Sequence, residues 1–180
     1  MKKSLYVVLV AITAGLIFAA FYNTHTDNAE AKGPTNVEMA GDLWDKIQGE
    51  NYRSTWKMWP GKTAFYKGTH PHGALLTTYV TDSAYSAIKD KKGAIPNGGI
   101  LIKENYMPNK KLGAITVMQK IKGYNPEKGD WFWVKFAPDG TPMTMEKDGM
   151  KMTLAGKVPG CIGCHSGQAA NDFIFTSPVK

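Results

Sequence analysis

The sequence predicts a mainly β protein of the α+β class: an antiparallel sheet with an N-terminal helix and a short helix near the C-terminus. Three observations point there. Four short β-prone runs fill the middle of the chain, each closed by a turn signal. A single clear helical period precedes them. Only one short helical segment interrupts the runs, so the spacing suits a meander and not alternating βαβ units.

Lys2 and Lys3 open the chain, followed by an unbroken apolar-and-small run from Leu5 to Phe21. A basic start before an apolar stretch is an export signal. The run is longer than the usual cleavable core and barely long enough to span a bilayer. Ala29-Glu30-Ala31 offers a small-x-small cleavage site some way downstream. Cleavage after Ala31 and retention as an N-terminal membrane anchor both stay open. Either outcome puts the body of the protein outside the cytoplasm, periplasmic or otherwise. Residues 1–31 are therefore read as export signal or anchor, 32–51 as linker and N-terminal helix, and 52–180 as the functional domain.

Tyr22 to Thr35 is polar and bears Gly and Pro, as a linker does. From Asn36, a fair N-cap, Val37, Ala40, Leu43, Trp44 and Ile47 fall on one helical face, which predicts a helix to about Asn51. The aromatic run Tyr52 to Trp59 stops at Pro60-Gly61. The predicted strands are Ala74–Val80, Gly99–Tyr106, Ala114–Ile121 and Trp131–Phe136, with a short helix over Asp82–Ile88 between the first two. Thr141 to Gly156 holds four methionines and several charges and reads as a hairpin or loop.

Apolar content of 43% and aromatic content of 11% suit a chain that buries a core, and exclude disorder. The net charge of +7 is carried by scattered lysines, and Arg53 is the sole arginine. Nucleic-acid readers use clustered basic residues and Arg in particular, so no nucleic-acid partner is expected. A basic surface can still steer an anionic substrate or an acidic redox partner protein.

The chemistry concentrates in Cys161-Ile162-Gly163-Cys164-His165, which holds both cysteines of the chain. This is the attachment signature of a c-type haem. Two thiols three positions apart on a helical turn reach two vinyl groups of one porphyrin, and the next residue projects its imidazole under the iron. One covalent haem c is thus expected, with Cys161 and Cys164 as thioether donors and His165 as iron ligand, on the short C-terminal helix. Three alternatives compete. A redox dithiol wants a thioredoxin-like βαβ context, a zinc site needs further ligands, and a disulfide across two residues is strained. For the sixth iron position the candidates are His70, His72 and the methionines 118, 143, 145, 150 and 152. His72 reads first as a loop-end histidine making surface hydrogen bonds, and the methionines as core filler.

Several pieces together resemble the cytochrome P-460 family, including its β-sheet cytochromes c prime. They are Thr77-Thr78-Tyr79-Val80 before the Asp82 helix, Gly99-Ile100-Leu101-Ile102-Lys103-Glu104, and Gly129-Asp130-Trp131-Phe132-Trp133 with Pro138-Asp139. The late haem motif and Asp172-Phe173-Ile174-Phe175-Thr176 complete the order, over about Tyr52 to Pro178. The resemblance implies a homodimer with one five-coordinate haem and an open distal face. It implies oxidation of hydroxylamine or a related small nitrogen compound; the alternatives are binding of nitric oxide or carbon monoxide without turnover, or electron transfer. Lys103 matches the lysine that hydroxylamine-oxidising members bond to the porphyrin rim. Strand alternation puts Leu101, Lys103 and Asn105 on one face and Ile102 and Glu104 on the other. Glu146 and Asp148 lie in the region of the family's proton-transferring carboxylate, and His72 near its distal-pocket strand.

Overall fold

The computed structural model describes residues 33–180, and Pro34–Lys180 form one compact unit. The Leu5–Phe21 run and the Ala29–Ala31 site lie outside the described residues. No helix among the described residues is long and apolar enough to cross a membrane.

The chain runs α1 (Asn36–Gly49), α2 (Tyr52–Thr55), β1 (Lys57–Met58), β2 (Tyr66–Lys67), β3 (Leu75–Val80), α3 (Asp82–Lys89), β4 (Ile100–Tyr106) and β5 (Leu112–Lys120). It continues with β6 (Trp131–Phe136), β7 (Thr144–Lys147), β8 (Met150–Thr153), β9 (Ala155–Gly156) and α4 (Pro159–His165). A 3-10 turn, Ser166–Asn171, follows α4 directly. The main sheet has the order β1-β3-β4-β5-β6-β9, antiparallel throughout, with β2 also pairing with β3. β7 and β8 form a separate hairpin, closed by Asp148 and Gly149 with φ of 53° and 73°. Two successive positive-φ residues are what a tight right-twisted hairpin requires. The mainly β, antiparallel expectation holds, with helices at both ends.

The helix begins one residue earlier than its pattern suggests. Thr35 is the N-cap: its hydroxyl accepts from Glu38 N at 3.2 Å, and the Glu38 carboxylate accepts from Thr35 N at 2.7 Å. That reciprocal pair satisfies two end donors at once. Asn36 instead accepts a hydrogen bond from the Tyr124 hydroxyl at 2.8 Å. Val37, expected on the buried face, is 53% exposed.

The sheet separates two cores. On one face α1 and α2 place Ala40, Leu43, Ile47 and Tyr52 against Ile100, Ile102, Ile115, Val117, Phe132, Val134 and Phe136. On the other, α3 and the C-terminal segment cover Val80, Leu101, Trp131 and Trp133 with Ala84, Ala87, Ile88, Val158, Phe173, Ile174 and Val179. Each fully buried Ile or Leu contributes roughly 1.5–3 kcal/mol, so α1 is held by tertiary packing and not by its own propensity. The period of two decides which face each residue serves. Leu101 goes to the C-terminal side and Ile102 to the α1 side, as alternation predicts.

On the α1 side of this sheet lies a buried carboxylate. Glu104 is 1% exposed and accepts from Tyr52 OH at 2.9 Å, Arg53 Nε at 2.6 Å and Tyr106 OH at 2.7 Å. Burial first, and the Glu104 carboxylate next, push both phenols well above the usual tyrosine range. The sole arginine is therefore a structural counter-ion tying α2 to β4.

Candidate functional site

The register of the sheet builds the floor of a cavity on the C-terminal face. One cross-strand row is Thr78, Lys103, Thr116 and Lys135; the next is Val80, Leu101, Met118 and Trp133. Of these, Thr78, Leu101, Lys103, Thr116, Met118 and Trp133 line a cavity of about 540 Å³, part of it open to solvent.

α4 supplies one wall. Pro159 opens it at a position that needs no N–H. Cys161 and His165 are one turn apart on the same helical face, and both line the cavity. Both thiols are free; Cys161 is half-buried and Cys164 exposed. Among the described residues no cluster of three His, Cys, Asp or Glu stands ready for a bare metal ion, so the zinc alternative has no ligand set. Burial raises the Cys161 thiol, an effect opposed by the Lys135 charge.

His165 is oriented from behind. Its Nδ1 donates to the Phe173 carbonyl at 2.7 Å, leaving Nε2 as the lone-pair nitrogen. Asp172 and Phe173 both adopt positive φ, 52° and 64°, which turns that carbonyl back toward α4. The turn is clamped by a buried ion pair, Lys120 Nζ to Asp172 Oδ1 at 2.5 Å. Asp172 Oδ2 also accepts from Ile95 N at 2.7 Å, and Trp131 Nε1 donates to the Asp172 carbonyl at 3.0 Å. Such a partner behind a metal-ligating histidine is what fixes its tautomer and ring direction.

Lys103 rises from the sheet floor, half-buried, and forms no salt bridge among the described residues. Burial pulls its pKa down to about 8. His72 closes the remaining side, and it is not the surface histidine expected from its loop position. Its ring centre lies 6.4 Å from that of His165. Burial first, then the Lys103 charge, bring its pKa down to about 4, against an opposing hydrogen bond with Asn105. Gly73 makes this placement possible. A Cβ there would lie 2.5 Å from Tyr106 N and 2.7 Å from Tyr106 O, so only glycine lets the loop press onto the end of β4. His70, by contrast, is exposed.

Glu146 and Asp148 are not brought to the cavity. Both are exposed on the β7–β8 hairpin, and no carboxylate is among the residues lining the cavity. Of the candidate methionines 118, 143, 145, 150 and 152, Met118 alone reaches the cavity lining. Sequence reasoning missed Asn105, Thr116, Asp172 and the Phe173 carbonyl as positioning groups. In the sequence the Asp172–Thr176 segment carries a family resemblance but no local sign of its role behind His165.

The family model for cytochrome P460 matches residues 49–176. The chain belongs to the cytochrome P460 family. No curated protein matches it. As a cytochrome P460 the chain is a c-type haem protein, of a family related to hydroxylamine oxidation. The residues present fit a haem. Cys161 and His165 look into one cavity, and His165 keeps a free Nε2. Trp133 and Leu101 give the same cavity apolar walls.

Proposed function

We propose that this cytochrome P460 is an exported mono-haem protein that oxidises hydroxylamine or a related small nitrogen compound. Cys161 and Cys164 would hold the haem by thioether bonds and His165 would hold its iron. The observation that carries the reading is the convergence on one cavity of Cys161, His165 and a half-buried Lys103 that forms no salt bridge among the described residues. When bound, the haem supplies an iron that accepts electrons from the substrate.

The chain's own residues do the rest. Phe173 and Asp172 hold His165 in one orientation. Lys103, its pKa lowered by burial to about 8, reaches the neutral amine form near neutral pH far more readily than an ordinary lysine, and that is the form able to bond to a porphyrin rim. Trp59, Leu101, Trp133 and Ile174 keep the cavity apolar and limit water. Lys103 and Lys135 make its floor electropositive, and their charges act on His72. No carboxylate lines the cavity, and His72 faces His165 across it.

Export is supported by Lys2, Lys3 and the Leu5–Phe21 run. A homodimer and a redox partner protein complete the proposal on family grounds, and the basic surface would favour an acidic partner. Gas binding without turnover is the second reading, favoured by the same missing carboxylate.

Peptide mapping of the purified holoprotein tests the assignment. The expected haem peptide contains the Cys161–His165 segment joined also to the β4 peptide through Lys103. Lys103→Leu should keep covalent haem, shift the absorption bands toward an ordinary c-type spectrum, and lose most hydroxylamine oxidation while retaining nitric oxide binding. Haem on the cysteine peptide alone, with a spectrally silent Lys103→Leu, would hand the assignment to gas binding.

A further inference from the structure

We propose that His72 is a second axial imidazole: its Nε2 binds the iron opposite His165, so that a small ligand must first displace it. The inference rests on the haem reading above, with His165 as the first ligand. It departs from the five-coordinate, open-faced iron that the family resemblance implies.

The first support is distance. Two imidazoles bound to opposite sides of one metal have ring centres roughly 6 Å apart, two metal–nitrogen bonds of about 2.0 Å plus the radius of each ring. The His72 and His165 rings are 6.4 Å apart, with their planes at 88°. A distal histidine that only hydrogen-bonded to a bound ligand would sit further off, because that ligand must fit between ring and iron.

The second support is the tautomer. Asn105 Nδ2 donates to the Lys103 carbonyl at 2.8 Å and the Ala114 carbonyl at 3.3 Å, with Thr116 Oγ1 at 3.2 Å. Carbonyl oxygens only accept, so the amide orientation is settled and Oδ1 is an acceptor. Gly73 N donates to that same Oδ1 at 3.2 Å. His72 Nδ1, 3.1 Å from Oδ1, must therefore carry the proton, and the lone pair is on Nε2. His165 reaches the same state through the Phe173 carbonyl. Each ring has its rear nitrogen anchored to an amide oxygen and its front nitrogen free, the arrangement of a metal-ligating histidine.

The third support is rigidity. The loop carrying His72 is closed by Gly68 N to Ala74 O at 2.8 Å and His72 N to Thr69 O at 3.0 Å. Gly73 is pressed on β4 with no room for a Cβ. A surface histidine needs neither a buried amide behind it nor a welded loop.

The test uses full-length holoprotein whose covalent haem is first verified by mass. Ferric electron paramagnetic resonance of the wild type should show a low-spin signal without a high-spin one. His72→Ala should convert it to high spin, and added imidazole should restore the low-spin signal. Carbon monoxide affinity of the ferrous His72→Ala protein should rise about tenfold or more, since a site filled by its own ligand nine-tenths of the time has its affinity cut tenfold. Asn105→Ala keeps the ring but removes its anchor, and should give a mixture of spin states even if His72→Ala does not fold. A high-spin wild type, or a low-spin signal that survives His72→Ala, overturns the proposal while leaving the haem reading intact. Absence of covalent haem overturns both.

Discussion

Asp172→Asn is the substitution whose cost can be worked most directly from the structure. The side chains of Lys120 and Asp172 are 10% and 8% exposed, so the pair is essentially out of water. Asparagine keeps the shape and still offers an oxygen to Ile95 N, yet it removes the charge facing the Lys120 ammonium. Removing one partner of a buried ion pair costs about 3–5 kcal/mol, mostly because the other charge stays desolvated. Lys120 retains the Gly129 carbonyl at 2.7 Å and the face of Trp131 at 4.2 Å. These put the expected loss at the low end, about 3 kcal/mol. In a domain of this size that lowers the melting temperature by about 6–12 °C. Urea unfolding of wild type, Asp172→Asn, Lys120→Met and the double variant closes a cycle whose coupling should be about 2 kcal/mol or more. A loss below about 1 kcal/mol, with no coupling, would refute the view that this pair clamps the turn behind His165. Made together with His72→Ala, the same variant should weaken the iron–His165 bond, visible as a shifted iron–histidine stretch in resonance Raman spectra of the ferrous protein.

Gly73→Ala should destabilise by about 1–3 kcal/mol in urea unfolding, as its Cβ meets the Tyr106 backbone with no flexible atom to give way. Stability should fall as pH rises above about 10, because the fold holds the Tyr52 and Tyr106 protons more tightly than the unfolded chain does. Tyr106→Phe should flatten that fall, read from urea midpoints at pH 9 and pH 11. The Cys161→Ala/Cys164→Ala variant should lack thioether-bound haem, leaving at most a link through Lys103, measured by intact mass after acid–acetone extraction. Deleting residues 1–21 should abolish haem attachment, if that attachment takes place outside the cytoplasm; covalent holoprotein recovered from the cytoplasm would count against export.

How much of this was legible depends on the range over which each signal acts. Strands β3 to β6 announce themselves locally, since each carries several β-branched or aromatic residues between turn residues, and Trp131–Phe136 has the bounds its pattern suggests. β1, β2 and β9 are two residues each, too short for any period, and exist only because a longer neighbour offers its edge. Glu146 and Asp148 looked promising through nearness to the haem motif along the chain, but a tight turn at Asp148-Gly149 closes a separate exposed hairpin. His72 illustrates the opposite case. Its meaning depends on Asn105, 33 residues away, and no local pattern couples the two.

One strand nevertheless brings the two faces of the molecule together. In Lys103-Glu104-Asn105 the middle residue points away from the cavity and is neutralised by Arg53, Tyr52 and Tyr106. The outer two point into the cavity side, one as a free amine and one as the amide behind His72. Three consecutive polar residues in a central strand break the usual pattern of a buried sheet. A strand can carry them only if each finds a partner, and Glu104 and Asn105 find theirs within the protein. Lys103 does not: it forms no salt bridge among the described residues, and burial alone sets its pKa. Local rules are most often broken where a protein works. On that reasoning the unpaired member of this triplet marks the place where the protein is built to meet something other than itself.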